Sequence, residues 1–484
     1  MIVRKNINIT LDRDELKTEI FHAVRDAAGY LRYDAYVVGG FVRDILMDKP
    51  NDDIDFVCVG NQIDGKVRIG IELAKEVAKR LSVDKVAEYE NFGTAQLVYK
   101  GLELEFVGAR RESYDRGSRK PIVENGTLDD DLNRRDFTIN AMAISVNGPT
   151  YGNLVDKFNG LGDLRNGIIR TPLDPDITFS DDPLRMLRAV RFATRFGFSI
   201  NETTFKGMTR NAHRISIISA ERIATELNKT LMTKKPSEGF VYLRDCGLLK
   251  LILPELADLD IVEKHQNIGH KNNFYHTIQV LDYVAEHSDK LMLRWAALLH
   301  DIGKTPTKKF EPGTGWTFRY HEVEGAKMVK TVFDRLKMPI DDMKYVQKLV
   351  SMHMRPQAIV EDVTDSAVRR LMFDAGDELE DLMILCDADV TSKHEEKVKR
   401  IREGFKIVRA KFVDLEERDH IRNFQPPVTG DEIMKLLHIG PCRKIGIIKE
   451  ELKNAILDGR LHNDHDEAVA YMMEFVKTLD VIQT

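Results

Sequence analysis

Residues 39–56 read GGFVRDILMDKPNDDIDF, the densest run of chemistry in the 484-residue chain. An apolar YVV at 36–38 precedes it, so the order is strand, Gly-Gly turn, helix and second strand. Gly39 and Gly40 let backbone approach a phosphate at a helix N-terminus, where free N–H groups favour an anion. Arg43 falls on the first turn of that helix, placed for a triphosphate oxygen. Asp53 and Asp55 stand two apart on a strand, so both carboxylates leave one face. Such a pair can hold Mg²⁺ ions for in-line phosphoryl transfer. A third carboxylate often completes such a site. Glu105 in LELEFV (102–107) is the candidate, and Glu103 on the same face competes with it.

Outward from this stretch the pattern is mixed. Leu16, Ile20, Val24 and Ala27 recur at helical spacing before it. Strand-like runs follow at 54–59, 95–99 and 102–107, with a helix near 71–81. From about residue 178 helix patterns dominate, as in DDPLRMLRAVRFATRF and SAERIATELNKTLM, with a break at Gly197 and Asn201 between them. The fold class expected is α+β, an α/β head followed by a mostly helical remainder. A Pro-Pro pair at 426–427 introduces a C-terminal helical segment.

The net charge is -6, with 31% charged and 43% hydrophobic residues, which excludes a disordered chain and one coated in positive charge. No apolar run approaches the ~18 residues of a membrane span, and the start lacks a signal-peptide core. Cys58, Cys246, Cys386 and Cys442 form no CxxC pair, so neither a zinc ribbon nor a disulfide scaffold is expected. A soluble, cytoplasmic protein without a membrane partner is the expectation.

Two further stretches carry chemistry. In RRDFTINAMA (134–143), Arg134 and Arg135 offer guanidinium forks to phosphates. Asp136 offers a carboxylate to a ribose or an arginine, and Asn140 offers an amide to a sugar hydroxyl. In FSDDPLRMLRAVRFATRF (179–196), Asp182 and Arg185 are three apart, neighbours if they share one helix face. An Asp accepts from cytosine N4 or adenine N6, and an adjacent Arg donates to ring acceptors, imitating a templating base. Residues 183–222 hold eight Lys/Arg and two acids, a local excess of six positive charges on an acidic chain. Arg188, Arg191 and Arg195 form a stripe at helical spacing that is expected to meet RNA phosphates, together with Arg222.

These blocks together resemble class II CCA-adding enzymes and bacterial poly(A) polymerases, in the nucleotidyltransferase superfamily of DNA polymerase β. The resemblance rests on GGFVRDILMDKPNDDID, NFGTA (91–95), EFVGARRESY (105–114), RRDFTINAMA and GLGDL (160–164), in the family's order. Residues 181–188 resemble its EDxxRxxR motif, with Asp181 where the family usually has Glu and Arg188 as the later arginine. The resemblance implies Mg²⁺ on Asp53 and Asp55, CTP and then ATP selected by Asp182 and Arg185, and the tRNA 3′ acceptor end as acceptor. A poly(A) or A-adding polymerase is the alternative within the same chemistry. The polar segment SYDRGSRKP (113–121), read as a CCA-type loop, and the absence of a strongly basic tail at 426–484 favour CCA addition.

A second constellation resembles the HD phosphohydrolase domain: His276, then His300-Asp301 in WAALLHDIGK, then Asp389 in LMILCDADVTS, with Asp387 as competitor. It implies a divalent metal of unknown identity between helices. Lys304 is placed for a substrate phosphate, and His321 and His353 fall where some HD domains add ligands for a second metal. A primarily hydrolytic HD protein is therefore a reading from another class. The layout expected is an N-terminal extension at 1–34, a nucleotidyltransferase head at 35–165 and a neck at 166–255, then an HD domain at 256–400 and a helical tail at 401–484.

Overall fold

The computed structural model describes residues 7–60, 68–90, 93–113, 122–262, 264–265, 268–269, 272–361, 363–390, 395–419 and 425–482. The chain divides into two compact units, residues 1–252 and 253–484.

The first unit opens with α1 (Glu15–Leu31), capped by the Asp14 carboxylate on the Lys17 amide. It buries Ile20, Phe21, Val24 and Ala27, the face its spacing predicts. In chain order come β1 (Asp34–Val38), α2 (Gly40–Leu46), β2 (Asp53–Val59), α3 (Ile69–Arg80), β3 (Ala87–Tyr89), β4 (Thr94–Tyr99) and β5 (Leu102–Gly108). A hairpin of β6 (Arg110–Ser113) and β7 (Ile122–Asn125), α4 (Leu128–Asn133), β8 (Met142–Ser145), β9 (Leu154–Asp156) and α5 (Gly160–Asn166) follow. Seven strands make one sheet in the order β3-β4-β5-β2-β1-β8-β9. Only β2 and β5 run parallel, and this pairing at the centre sets Asp53 opposite Glu103 and Asp55 opposite Glu105.

Alternation explains how β2 serves core and surface at once. Ile54 and Phe56 face inward, where Phe56 stacks on Phe106 at 4.9 Å and meets Phe21 edge-on at 6.1 Å. Asp53 and Asp55 take the opposite face. β8 is a strand that the sequence reading did not place. All four of its residues are buried, so it lacks the in–out alternation that betrays a half-exposed strand. Of the family blocks, residues 91–92 and 114–121 lie outside the described residues.

The rest of this unit is nearly all helix: a short parallel pair β10 (Ile168–Ile169) and β11 (Ser199–Ile200), then α6 (Pro175–Asp181), α7 (Leu184–Phe196), α8 (Glu202–Asn211), α9 (Ala220–Leu231), α10 (Pro236–Asp245) and α11 (Leu248–Ile252). Gly197 ends α7 at φ 69°, and the Asn201 side chain caps α8 through the Thr203 and Thr204 amides.

The second unit holds α12 (Pro254–Ala257), the small ladder β12 (Lys264–His265) with β13 (Ile268–Gly269), α13 (Asn273–His287), α14 (Leu291–Leu299), α15 (Lys304–Thr307), and a hairpin of β14 (Lys309–Glu311) and β15 (Gly315–Thr317). After these come α16 (His321–Leu336), α17 (Ile340–Met352), α18 (Arg355–Ile359), α19 (Asp365–Ala375), α20 (Leu379–Asp389), α21 (Glu395–Asp419), α22 (Gly430–Leu437), α23 (Arg443–Leu457) and α24 (His465–Ile482). α14 is buried from Leu293 through Leu299 and packs among α13, α17 and α20. Its C-terminal end delivers His300 and Asp301 into the middle of that bundle. Among the described residues no helix is long and apolar enough to cross a membrane.

Candidate active site and metal centre

In the first unit a cleft of about 450 Å³ opens over the Gly-Gly turn and the exposed face of β2. Gly39, Gly40, Asp53, Asp55, Arg135, Arg188, Arg191 and Arg195 all line it. Gly39 sits at φ +71°, and a Cβ there would stand 2.9 Å from Arg135 Nη1 and 3.4 Å from Asp55 Oδ2. The conformation requires glycine, and a Cβ would also press on the Arg135 guanidinium. Burial, with the charges of Asp53 and Glu105 behind it, pushes the Asp55 carboxyl up to about 7. Burial and Asp53 likewise raise Glu105. Glu103 is exposed and accepts from Gln96 Nε2 at 3.2 Å. Glu105 is thus the acid electrostatically joined to the aspartate pair. Two carboxyls raised by burial beside the Asp53 charge form a site that a cation relieves.

Behind the carboxylates runs a buried polar chain. Arg43 is 5% exposed and donates to Asp44 through Nε (2.8 Å) and Nη2 (3.0 Å), and to Asn140 Oδ1 through Nη1 (2.8 Å). Asn140 donates onward to Asp136 Oδ1 at 3.0 Å, and Arg188 grips Asp136 Oδ2 at 2.8 and 2.7 Å. Burial would raise the Asp136 carboxyl, but the Arg188 charge, the hydrogen bonds from Asn140 and Arg188 and the Arg185 charge together outweigh it and hold it low. Asn51 donates to Asp44 at 2.7 Å and accepts from the Asp53 amide at 2.9 Å, tying this chain to the start of β2. Arg43 thus lines the cleft while held by Asp44 and Asn140.

Arg134 and Arg135 share one buried counter-ion, Asp131, which is 0% exposed. Burial would raise Asp131, and the guanidinium charges of Arg135 and Arg134 keep it below the usual carboxylate range. Arg135 reaches the cleft, whereas the Arg134 carbonyl accepts from Arg185 Nη2 at 2.5 Å. Asp131, Asp44 and Asn51 were not singled out from sequence. For Asp131 the signal was present, an acid three and four residues ahead of two arginines in DLNRR.

The structure departs from the expectation at α7. Asp182 and Arg185 do not share a helix face. α6 ends at Asp181, Asp182 is extended (φ -139°, ψ 99°), and α7 begins after Pro183. Proline disfavours helical backbone in the residue before it, which splits the motif. Asp182 accepts from the Leu184 amide at 3.1 Å and from Arg222 at 3.0 Å. The arginine stripe also turns toward the cleft: Arg188 is held by Asp136, and Arg191 is buried against Glu226 at 2.6 Å. Arg195 is exposed at the cleft wall over the Phe196 ring. Counting charges along the chain could not show that Asp136 and Glu226 cancel part of the excess from distant elements.

In the second unit, His276, His300, Asp301 and Asp389 meet in the buried middle of the bundle. His276 Nε2 lies 2.7 Å from Asp389 Oδ1, and Asp301 Oδ2 stands 3.3 Å from His300 Nε2 and 3.6 Å from His276 Nε2. Asp387 points away and pairs with Arg409. His321 and His353 join from α16 and the end of α17, their Nε2 atoms 3.2 Å apart. Burial opposes charge on His300, yet Asp301 and Asp389 push its imidazole up to about 10. Burial lowers His276, His321 and, to about 4, His353, leaving them neutral as metal ligands must be. Lys304 Nζ touches Asp301 Oδ2 at 2.5 Å. At Gly303 a Cβ would collide with the His321 carbonyl and Gly325 backbone, so α15 and α16 close together only over glycine.

Comparison with known proteins gives three family matches. Residues 35–170 match the poly A polymerase head domain, 197–259 the probable RNA and SrmB-binding site of polymerase A, and 273–394 the HD domain. The chain is 46% identical over 205 residues to the A-adding tRNA nucleotidyltransferase of Aquifex aeolicus, a match covering 41% of this chain and 24% of that protein. It is 30% identical over 412 residues to the multifunctional CCA protein of Nitrosospira multiformis, covering 81% of this chain and 93% of that one. In fold it is similar to the Bacillus stearothermophilus CCA-adding enzyme in complex with CTP, with a TM-score of 0.65, 21% identity, and coverage of 96% and 99% of the two chains.

Proposed function

The chain belongs to the family of the multifunctional CCA proteins, and we propose that its first unit adds C, C and A to the 3′ end of tRNA from CTP and ATP. The observation that carries this reading is the cleft itself, where Asp53 and Asp55 face arginines beside a glycine turn that admits no side chain. Asp53 and Asp55, with Glu105 beside them, would hold Mg²⁺, which would supply the charge to activate a 3′-hydroxyl and stabilise departing pyrophosphate. Their mutual repulsion fits these residues to a divalent ion.

The remaining roles belong to the chain's own side chains. Arg135 and Arg195 face the nucleotide's phosphates. The Arg43–Asn140–Asp136–Arg188 chain fixes the wall against which the sugar rests. Asp182 accepts from the exocyclic amine of cytosine or adenine and Arg185 donates to a ring acceptor. A uracil or guanine edge leaves these groups unpaired, at ~1–3 kcal/mol each. Arg222 orients Asp182 for that contact, and the tRNA acceptor end lies along the helices that follow α7. A tRNA substrate suits a cytoplasmic enzyme. In the second unit His276, His300, Asp301 and Asp389 would hold a divalent metal that would supply charge for phosphoester hydrolysis, with Lys304 placed for the phosphate.

The test is incubation with tRNA lacking its 3′ end, with CTP and ATP singly and together, followed by sequencing of the ends. CCA termini with both nucleotides support the reading, and Asp53→Ala must abolish them. The 46% identity to an A-adding enzyme motivates a second reading, A addition alone. Incorporation of A onto ends already carrying CC, with none from CTP, would establish that alternative. Loss of metal-dependent phosphate release in His300→Ala/Asp301→Ala tests the second unit.

A further inference from the structure

Asp131 lies on α4, three and four residues ahead of Arg134 and Arg135, and is 0% exposed. Its two oxygens are divided between those arginines. Oδ1 accepts from Arg134 Nε at 2.9 Å and from Arg134 Nη2. Oδ2 accepts from Arg135 Nε at 3.0 Å and lies 2.8 Å from Arg135 Nη2. Packing does not call for this carboxylate. α4 is fixed at its start by the reciprocal caps of Thr127 and Asp130, and Leu132 holds it to the sheet, buried with Val38, Val57 and Ala143. A buried ion pair is often no more stable than apolar side chains of the same shape. Stability therefore does not account for an acid at this position.

The placement of Arg135 supplies another reason. With Nε and Nη2 gripped side-on by Asp131, the guanidinium presents Nη1 to the cleft that Arg135 lines. Nη1 stands over the glycine turn, 2.9 Å from the point a Cβ on Gly39 would occupy, and Asp55 Oδ2 lies 3.4 Å from the same point. Arg135 thus sits between two acids, Asp131 behind it and Asp55 in front. An arginine side chain is long and carries many rotamers, so one released by Asp131 would swing onto Asp55 and cover that carboxylate.

We propose that Asp131 is a positioning residue for nucleotide addition: it holds the Arg135 guanidinium side-on, off Asp55, with Nη1 aimed at the phosphates of the incoming nucleotide. This rests on reading the cleft as the site of CTP and ATP addition. Because the contact is to phosphate, both nucleotides are affected alike. A shift of about 1 Å in such a group can cost ~100-fold in rate.

Asp131→Asn keeps the shape and removes the charge that grips the fork. With the full chain and tRNA lacking its 3′ end, this variant should lower kcat/KM for CTP by about 10- to 100-fold, and for ATP by the same factor on tRNA ending in CC. The KM for tRNA should not move. In an Arg135→Gln background, itself impaired, the same change should matter by less than about 3-fold, because Asp131 acts through Arg135. Equal losses in the two backgrounds, or an Asp131→Asn enzyme as active as its parent, overturn the proposal. If Asp131→Asn loses hydrogen-exchange protection in β2, Asp131→Glu goes through the same cycle with the same two outcomes; it keeps the charge and shifts the carboxylate by one methylene. A parent that incorporates neither nucleotide overturns the transferase reading instead, so the two failures are distinct.

Discussion

Replacing Asp55 by asparagine should stabilise the metal-free head while abolishing nucleotide incorporation. Asp55 is raised from 3.8 to about 7, first by burial and then by Asp53 and Glu105. A carboxyl whose folded pKa is raised keeps its proton in the native state while the unfolded chain has lost it. Stability therefore falls as pH climbs from about 4 to about 7 and then levels off. At about 1.4 kcal/mol per pH unit the ionised group costs about 4 kcal/mol. The side chain is partly solvated, so about half of that, ~2 kcal/mol, is the expected effect. Asparagine keeps the shape and drops the charge. With EDTA present, Asp55→Asn should exceed the parent by ~2 kcal/mol at pH 8 and by under ~1 kcal/mol at pH 5. Because the chain holds two units, the readout is hydrogen exchange of peptides from β2 and β5 rather than a global melt. Added Mg²⁺ should stabilise the parent at pH 8 and leave the variant unmoved, closing the gap. A variant that is no more stable than its parent at pH 8, or whose advantage does not grow with pH, would refute the reasoning that these acids repel one another in wait for a cation.

Other changes probe the supporting structure. Arg43→Met strands the buried Asp44 carboxylate and should cost ~3 kcal/mol in urea titration; the double variant Arg43→Met/Asp44→Leu should recover more than half of that. Gly39→Ala forces a left-handed backbone and pushes on Arg135, so a loss of ~1–3 kcal/mol is expected, together with a fall in kcat for both nucleotides. Asp182→Asn swaps an acceptor for a donor at one position and should raise UTP incorporation relative to CTP by roughly 5- to 100-fold in single-turnover assays, without changing the exchange of β2.

Local patterns were legible where one element decides the outcome. The Gly-Gly turn, the two-residue spacing on β2, the apolar face of α1 and the Gly197 stop each depend on neighbours in sequence. What escaped depends on distance along the chain. Arg191 looked like a free cation because Glu226 lies 35 residues on, and Arg188 because Asp136 lies 52 residues back. Glu105 and Glu103 could not be separated by strand alternation, which treats them alike. Register pairs each with one aspartate, and the separation comes from burial: Glu105 is half-buried and raised beside Asp53, whereas Glu103 is exposed on Gln96. Asp389 and Asp387 were likewise resolved only by Arg409 from another helix.

The two carboxylate clusters differ in a way that bears on how each handles metal. In the head, Asp55 is surrounded by acids, and the protein supplies no cation against it strong enough to prevent the rise of its carboxyl. Such a site takes a proton or an exchangeable ion, as suits Mg²⁺ that arrives with a nucleotide. In the second unit burial would also raise Asp301 and Asp389. There the charges of His300 and Lys304 help reverse the sign for Asp301, and the hydrogen bond from His276 with the charge of His300 does so for Asp389, holding both well below the usual range. Those acids stay ionised across the physiological range, and so meet a metal without first giving up a proton of their own, whereas His300, pushed up to about 10, has one to lose. On the proposed reading the head exchanges its ion with each nucleotide, and the bundle retains its own. Dialysis without chelator should strip Mg²⁺ from the first and leave Mn²⁺ in the second.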